Sequence, residues 1–253
     1  MSAEAIEMKK RKHGNAGFSL VELLVGTILF TIVTGIAFSL LMSAQLRYQG
    51  ESTVTEAFQQ ANVALDQIVR DVHSAGYPPK SSLSAVVAND NSKANRYALP
   101  FAWTPNYPTT PCTVGVGGTC TLPGEYDLIV EADLGNSQGV QWIRYSLQTT
   151  TLMRAVVPKV AFKDPVAETS GSSVLVPYLE NVMNGSNSLP IFSYVCDGGA
   201  TQQPCAGGST QTTSTIREVN ISLMVRSLQP DPQTHQYRTI TLNGQAMRFN
   251  PNQ

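Results

Sequence analysis

The segment from Phe18 to Met42 constrains everything that follows it. It holds 25 residues and one charged side chain, Glu22; the next charge is Arg47. A helix needs roughly 20 apolar residues, at about 1.5 Å each, to cross the hydrocarbon core of a bilayer. This stretch is long enough and contains no proline. A basic cluster, Lys9, Lys10, Arg11 and Lys12 with His13, lies just before it. Positive charge flanking a span stays on the cytoplasmic side, so the N-terminus is expected inside and the bulk of the chain outside.

A secretory signal peptide would show an apolar core of about 7–15 residues closed by a small-residue cleavage site. The run here is longer, and no A-x-A pattern closes it. A plain N-terminal anchor explains the span but not Glu22, because a carboxylate in hydrocarbon costs on the order of 3 kcal/mol. Such a residue needs a partner. A cut after Gly17 would create one, the new amino group of Phe18, with Glu22 as the fifth residue of the mature chain. In a packed bundle, Glu22 of one subunit would then neutralise the Phe18 ammonium of the next. A buried pair of that kind specifies register, and losing one member strands the other.

Gly17-Phe18-Ser19-Leu20-Val21-Glu22 before an apolar helix resembles the class III signal of type IV prepilins and type II secretion pseudopilins. The resemblance implies cleavage between Gly17 and Phe18 by a prepilin peptidase, and N-methylation of Phe18. It implies assembly with other pilins or minor pilins through the N-terminal helix, around Glu22. It also implies a single pass of the inner membrane before assembly, a periplasmic C-terminal domain, and then a place on the pilus or cell surface.

Without residues 1–17, which carry four basic and two acidic residues, 13 basic and 16 acidic residues remain, a formal charge of −3. No strong basic field is left, so bulk electrostatics suggests no nucleic-acid partner. The four cysteines, Cys112, Cys120, Cys196 and Cys205, all lie beyond the span, as two close pairs in Gly/Thr/Pro-rich loops. An even count in an exported domain reads as disulfides. Three pairings are possible, of which Cys112–Cys120 with Cys196–Cys205 is the simplest. A metal site is the rival, but neither pair has the C-x-x-C spacing and no histidine is near.

The helix is expected to continue past Met42. Val54, Phe58, Ala61, Leu65, Ile68 and Val72 recur at helical spacing, while Glu51, Glu56, Gln59, Gln60, Asn62, Asp66, Gln67, Arg70 and Asp71 take the polar positions. Gly76-Tyr77-Pro78-Pro79 ends it, since glycine caps and proline cannot continue. One helix of about 58 residues would measure roughly 87 Å. Gly26, Gly35 and Gly50 are soft points, or in the case of Gly26 and Gly35 sites of close helix packing.

Residues 78–124 lack a regular pattern and read as a long surface excursion with one short helix or strand near 82–88. Strands are predicted at 126–132, 140–147 and 151–157, forming a meander, and at 189–196, 216–227 and 238–249. Residues 174–183 are ambiguous between strand and helical turn, and 197–215 read as a loop.

Little catalytic chemistry is visible. His13, His73 and His235 are far apart, and His73 suits a helix C-terminus. Asp127, Glu131 and Asp133 alternate along a strand and are expected to face solvent. Asp90-Asn91-Ser92 and Asp231-Pro232 are candidate calcium ligands, though neither resembles an EF-hand loop. Gly115-Val116-Gly117-Gly118 lacks the lysine and setting of a phosphate loop, and no hydrolase nucleophile motif occurs. Trp103, Trp142, Tyr97 and Tyr107 read as core or as a sticky face.

The expected fold is therefore α+β and pilin-like, a long N-terminal helix on an antiparallel sheet. Its divisions are a leader at 1–17, a transmembrane or filament-core helix at 18–42, an amphipathic continuation at 43–76 and a β-rich domain at 77–253. Residues 70–77, the hairpin at 143–154 and the arginine-rich final strand pair are similar to PilW-type minor pilins and J-type pseudopilins. The resemblance implies a non-enzymatic subunit without cofactor or metal, a minor pilin at the tip or in assembly priming of a type IV pilus. The alternatives are a J-type pseudopilin of a type II secretion system, or a pilus-borne adhesin or DNA-uptake module that reads its ligand with residues 78–124.

Overall fold

The computed structural model describes residue 17 and residues 19–198, 201–206 and 211–249. The leader before Gly17, and Phe18 itself, lie outside the described residues. The chain divides into two compact units, Met1–Tyr48 and Gln49–Gln253.

Helix α1 spans Leu20–His73. From Leu20 to Met42 it is apolar all round except for Glu22, and its residues in the first unit are exposed apart from half-buried Ser43. Leu20 is 81% and Phe30 73% exposed, so this stretch buries no face within its own chain. A Cβ built at Gly26 or Gly35 would meet nothing within 4 Å, so neither glycine serves packing inside the chain.

In the second unit α1 buries Gly50, Ala57, Ala61, Ala64, Leu65, Ile68, Asp71 and Val72. This corrects the expected stripe at two places. Phe58 is 42% exposed, and the small residues Ala57 and Ala64 take the inward positions. Alanine lets the helix backbone lie close to the sheet, where a phenylalanine would hold it off. Asp71, assigned to the polar face, is 1% exposed because the sheet supplies it with a cation and a phenol. The helix ends at His73, three residues before the glycine expected to close it. Gly76 adopts φ +78°, and its N–H donates to the Glu131 carbonyl at 2.9 Å.

Two four-stranded antiparallel sheets follow. The first runs in the order β1-β2-β3-β4, with β1 at Asp127–Asp133, β2 at Val140–Gln148, β3 at Thr151–Pro158 and β4 at Val176–Leu179. The second runs β6-β5-β7-β8, with β5 at Phe192–Gly198, β6 at Thr201–Pro204, β7 at Ile216–Arg226 and β8 at Thr239–Met247. Residues 181–183 join the sheets. Met183 N–H donates to the Met224 carbonyl at 2.7 Å and Val182 N–H to Thr150 at 2.8 Å. Strand β6 falls inside the expected 197–215 loop, and the ambiguous 174–183 stretch resolves as β4. The short helices α2 (Ala85–Ala88) and α3 (Pro165–Thr169) complete the regular elements named here.

One core joins α1 to both sheets through Ile68, Val72, Leu128, Val130, Ile143, Leu152, Ile221 and Leu223. Strand β1 is buried on both faces, with Leu128 to Ala132 all covered. The cover is the irregular segment after α2. Ala102 N–H donates to the Ile129 carbonyl at 3.0 Å, and Phe101 bridges Val130. A second apolar cluster, Ala102, Leu122, Ile129 and Trp142, lies beneath it. Part of the expected surface excursion is thus a layer of the fold.

Candidate assembly site and its supporting domain

The helix start is built from Ser19 and Glu22. Leu23 N–H donates to the Ser19 carbonyl at 3.1 Å, which places Ser19 at the cap of α1. Three residues on, Glu22 Oε2 accepts the Ser19 N–H at 3.1 Å, one half of a capping box. The carboxylate also sits where the helix dipole favours negative charge. Both residues are exposed, so Glu22 keeps acceptor capacity beyond this one bond. Gly17 is exposed as well, and a Cβ there would meet nothing within 4 Å. The sequence singled out Glu22 as an acid needing a cation; it did not anticipate that Glu22 also caps its own helix, although the S-x-x-E pattern carried that signal.

In the second unit, two buried ion networks hold the layers together. Asp71 on α1 accepts the Tyr145 hydroxyl at 2.5 Å, Arg154 Nη2 at 2.9 Å and Gln67 Nε2 at 2.8 Å. Burial pushes the Tyr145 phenol well above its ordinary range, and the Asp71 carboxylate pushes it further, so it stays a neutral donor. The second network centres on Glu131, expected to face solvent and instead fully buried, with a side-chain exposure of 0%. Its carboxylate accepts Lys159 Nζ at 2.6 Å, Leu99 N–H at 2.8 Å, Trp142 Nε1–H at 3.0 Å and the Tyr107 hydroxyl. Lys159 also donates to the Tyr97 carbonyl at 3.0 Å and lies 5.0 Å from the Tyr97 ring. Burial, then Glu131, raises the Tyr107 phenol far above its usual range. Asp127 likewise pairs with Arg144 rather than with water alone, at 2.5 Å. Trp142 is 0%, Trp103 4% and Tyr97 9% exposed, which makes them core residues and not a sticky face.

The cysteines are joined as Cys112–Cys120 and Cys196–Cys205. The first stapled loop is also clasped to the segment that follows the second, with bridges Thr113↔Thr212 and Val116↔Ala206. Val114 N–H donates to the Gln211 carbonyl at 2.9 Å, and Gln211 Oε1 accepts Ala206 N–H at 2.5 Å. Gly115 is required here: it adopts φ +94°, and a Cβ would lie 2.0 Å from the Cys205 carbonyl oxygen. Each bridge closes a short loop, with separations of 8 and 9 residues, for which the chain-entropy account gives about 2–3 kcal/mol. The Cys112→Ala/Cys120→Ala variant should lose about that much stability in denaturant unfolding. Limited proteolysis within residues 113–119 should quicken with it, and an unchanged cleavage rate would contradict the role.

The candidate cation ligands are engaged by their own loops. Asp90 Oδ1 accepts Ser92 N–H at 3.0 Å and its hydroxyl at 2.6 Å, and Lys93 lies 3.2 Å from Oδ2. Asp231 accepts the N–H groups of Gln233 and Thr234 at 2.8 and 3.2 Å, and these bonds hold its carboxyl below the usual range. His73 packs against Phe249, with ring centroids 4.7 Å apart and the planes tilted by 42°. Among the described residues no group of three or more His, Cys, Asp or Glu could hold a metal ion.

Residues 12–38 match the family described as the prokaryotic N-terminal methylation motif. The match covers the basic cluster's end, Gly17, Phe18, Glu22 and most of the apolar run, and supports a pilin-type or pseudopilin subunit processed at its N-terminus. Neither a curated protein nor a solved structure matches the chain.

Proposed function

We propose that this chain is a non-enzymatic minor pilin of PilW-like type, held by one inner-membrane span and then incorporated near the tip of a type IV pilus. The observation that carries the reading is the coincidence of the methylation motif at 12–38 with a helix segment exposed and apolar all round, whose lone charge is Glu22. A segment of that kind needs a lipid or protein environment that its own chain does not supply. The basic leader orients insertion. Removing it takes four cations away from a core they could not enter, and frees the Phe18 amine to meet a neighbour's Glu22.

The loops support the tip or priming position. The clasped disulfide loops and the layer at 97–104 enlarge the domain beyond a helix on one sheet, which suits a cap better than a tightly repeated shaft. Immunogold labelling of an epitope inserted at exposed Val86 (80% exposed) should mark one end of isolated pili. Decoration along the whole length would contradict the position. Absence from pili, with presence in a secretion pseudopilus, would favour the J-type alternative.

A further inference from the structure

The second sheet ends in an edge that nothing in the described chain pairs. Strand β8 bonds only to β7, and the pairing runs without a register shift from Arg226↔Thr239 to Glu218↔Met247. In β7 the N–H groups of Ser222, Met224 and Arg226 donate away from β8, to Ile191, Asn184 and Asn181. Backbone groups alternate sides along a strand. Their β8 partners Asn243, Thr241 and Thr239, and by the same alternation Gln245 and Met247, therefore present N–H and C=O at the open edge.

Edges of this length are ordinarily blunted by lysine, proline, a bulge or a covering segment. Strand β8, Thr-Ile-Thr-Leu-Asn-Gly-Gln-Ala-Met, has no charge and no proline. Its inward row is also incompletely covered. Ile240 and Leu242 are half-buried, while Val219, Ile221, Leu223 and Val225 of β7 are at most 2% exposed. Helix α1 runs along β8 in the same sense: Gly50 meets Pro232, Leu65 meets Gly244, and His73 meets Phe249. Exposed Phe58 falls between the first two contacts, in the same interval as Ile240 and Leu242.

We propose that this edge accepts an extended segment of a different protein as a fifth strand of the sheet. The segment would be about nine residues long and uncharged. Its alternate apolar side chains would face the helix beside Ile240, Leu242 and Phe58, and its polar ones would continue the outer row of Thr239, Thr241 and Asn243. A second copy of this chain fits poorly. Antiparallel pairing of two β8 edges keeps the sheet faces but reverses the Gln49–His73 stretches, so the two chains would enter their domains at Gln49 from opposite ends. Parallel pairing about a two-fold axis turns one sheet over and sets the apolar row beside the polar one. The argument against antiparallel copies rests on the membrane-anchored reading; the open edge does not.

The test is amide hydrogen exchange on the full chain in detergent micelles. The probe is a nonapeptide alternating valine and threonine between terminal lysines, and the control is the same peptide with a central proline. Saturating probe should slow the amides of Thr241, Asn243 and Gln245 by about tenfold or more, the control should not, and the β7-bonded amides of Ile240 and Leu242 should not change. Thr241→Pro, which removes an edge N–H without touching the β7 ladder, should abolish the slowing, as should Asn243→Lys if the proline variant misfolds. No slowing, equal slowing by both peptides, or slowing with protein concentration in the absence of peptide would overturn the proposal. The readout lies within Gln49–Gln253, so it stands or falls apart from where the mature chain begins.

Discussion

Lys159→Met should cost the folded domain about 3–5 kcal/mol, the expected penalty for breaking a buried ion pair by removing one partner. Lys159 and Glu131 have side-chain exposures of 2% and 0%. Methionine fills most of the volume, so the loss is electrostatic and not a cavity. It leaves the Glu131 carboxylate buried, with the Tyr107 hydroxyl, Trp142 Nε1–H and Leu99 N–H as neutral donors. Those three bonds do not replace a full opposite charge at low local dielectric. Trp142 reports directly, because its indole bonds the same carboxylate. Denaturant titration of the full chain in micelles, followed by tryptophan fluorescence, measures the change. Glu131→Leu should be as damaging, since it orphans Lys159 and three donors at once. In the double variant the two losses should overlap, with a coupling energy of about 1–3 kcal/mol. A Lys159→Met protein within about 1 kcal/mol of the parent would show that the pair does not hold β1 to its covering layer.

Glu22→Leu should leave membrane insertion intact and reduce incorporation into filaments by roughly a hundredfold. The two effects have opposite signs because the acid acts in two settings. In the bilayer it costs on the order of 3 kcal/mol, which leucine removes. In the proposed filament pairing it answers a neighbour's Phe18 ammonium, and stranding that cation would cost about 3 kcal/mol or more, equivalent to a factor of a hundred in assembly. Loss of the bond to Ser19 N–H frays one helix turn, worth about 0.5–2 kcal/mol, and is too small to produce the assembly defect alone. Glu22→Asp keeps the charge on a shorter arm and should retain part of the incorporation. Leucine protein found in sheared pili at the parent level would refute the pairing.

The long apolar helix and most strands were legible because each is written as a local period. The exposed half of α1 and the alternation of Ile216 to Val225 needed nothing from the rest of the chain. Phe58 and Asp71 were misplaced because stripe-reading favours bulky residues, whereas the sheet selected Ala57, Ala61 and Ala64 for closeness and supplied Arg154 to Asp71. Glu131 was hidden for a different reason. Alternation along β1 predicts a solvent face only if nothing lies over the strand, and residues 97–104, which do, carry no period. The unbroken run Leu128-Ile129-Val130 was the available signal, since a strand apolar at successive positions is covered on both faces. Lys159 had no signal at all: its partner is 28 residues away and reached through the β2–β3 hairpin.

The account turns on a new chain terminus at Phe18, so mass spectrometry of the N-terminal peptide from mature protein recovered from producing cells tests it most directly. The prediction is a peptide beginning at Phe18 and carrying one methyl group on its amine. Mature protein that retains Lys9 to Gly17, or that begins at any other residue, would contradict it, because Glu22 would then have no terminal cation to meet.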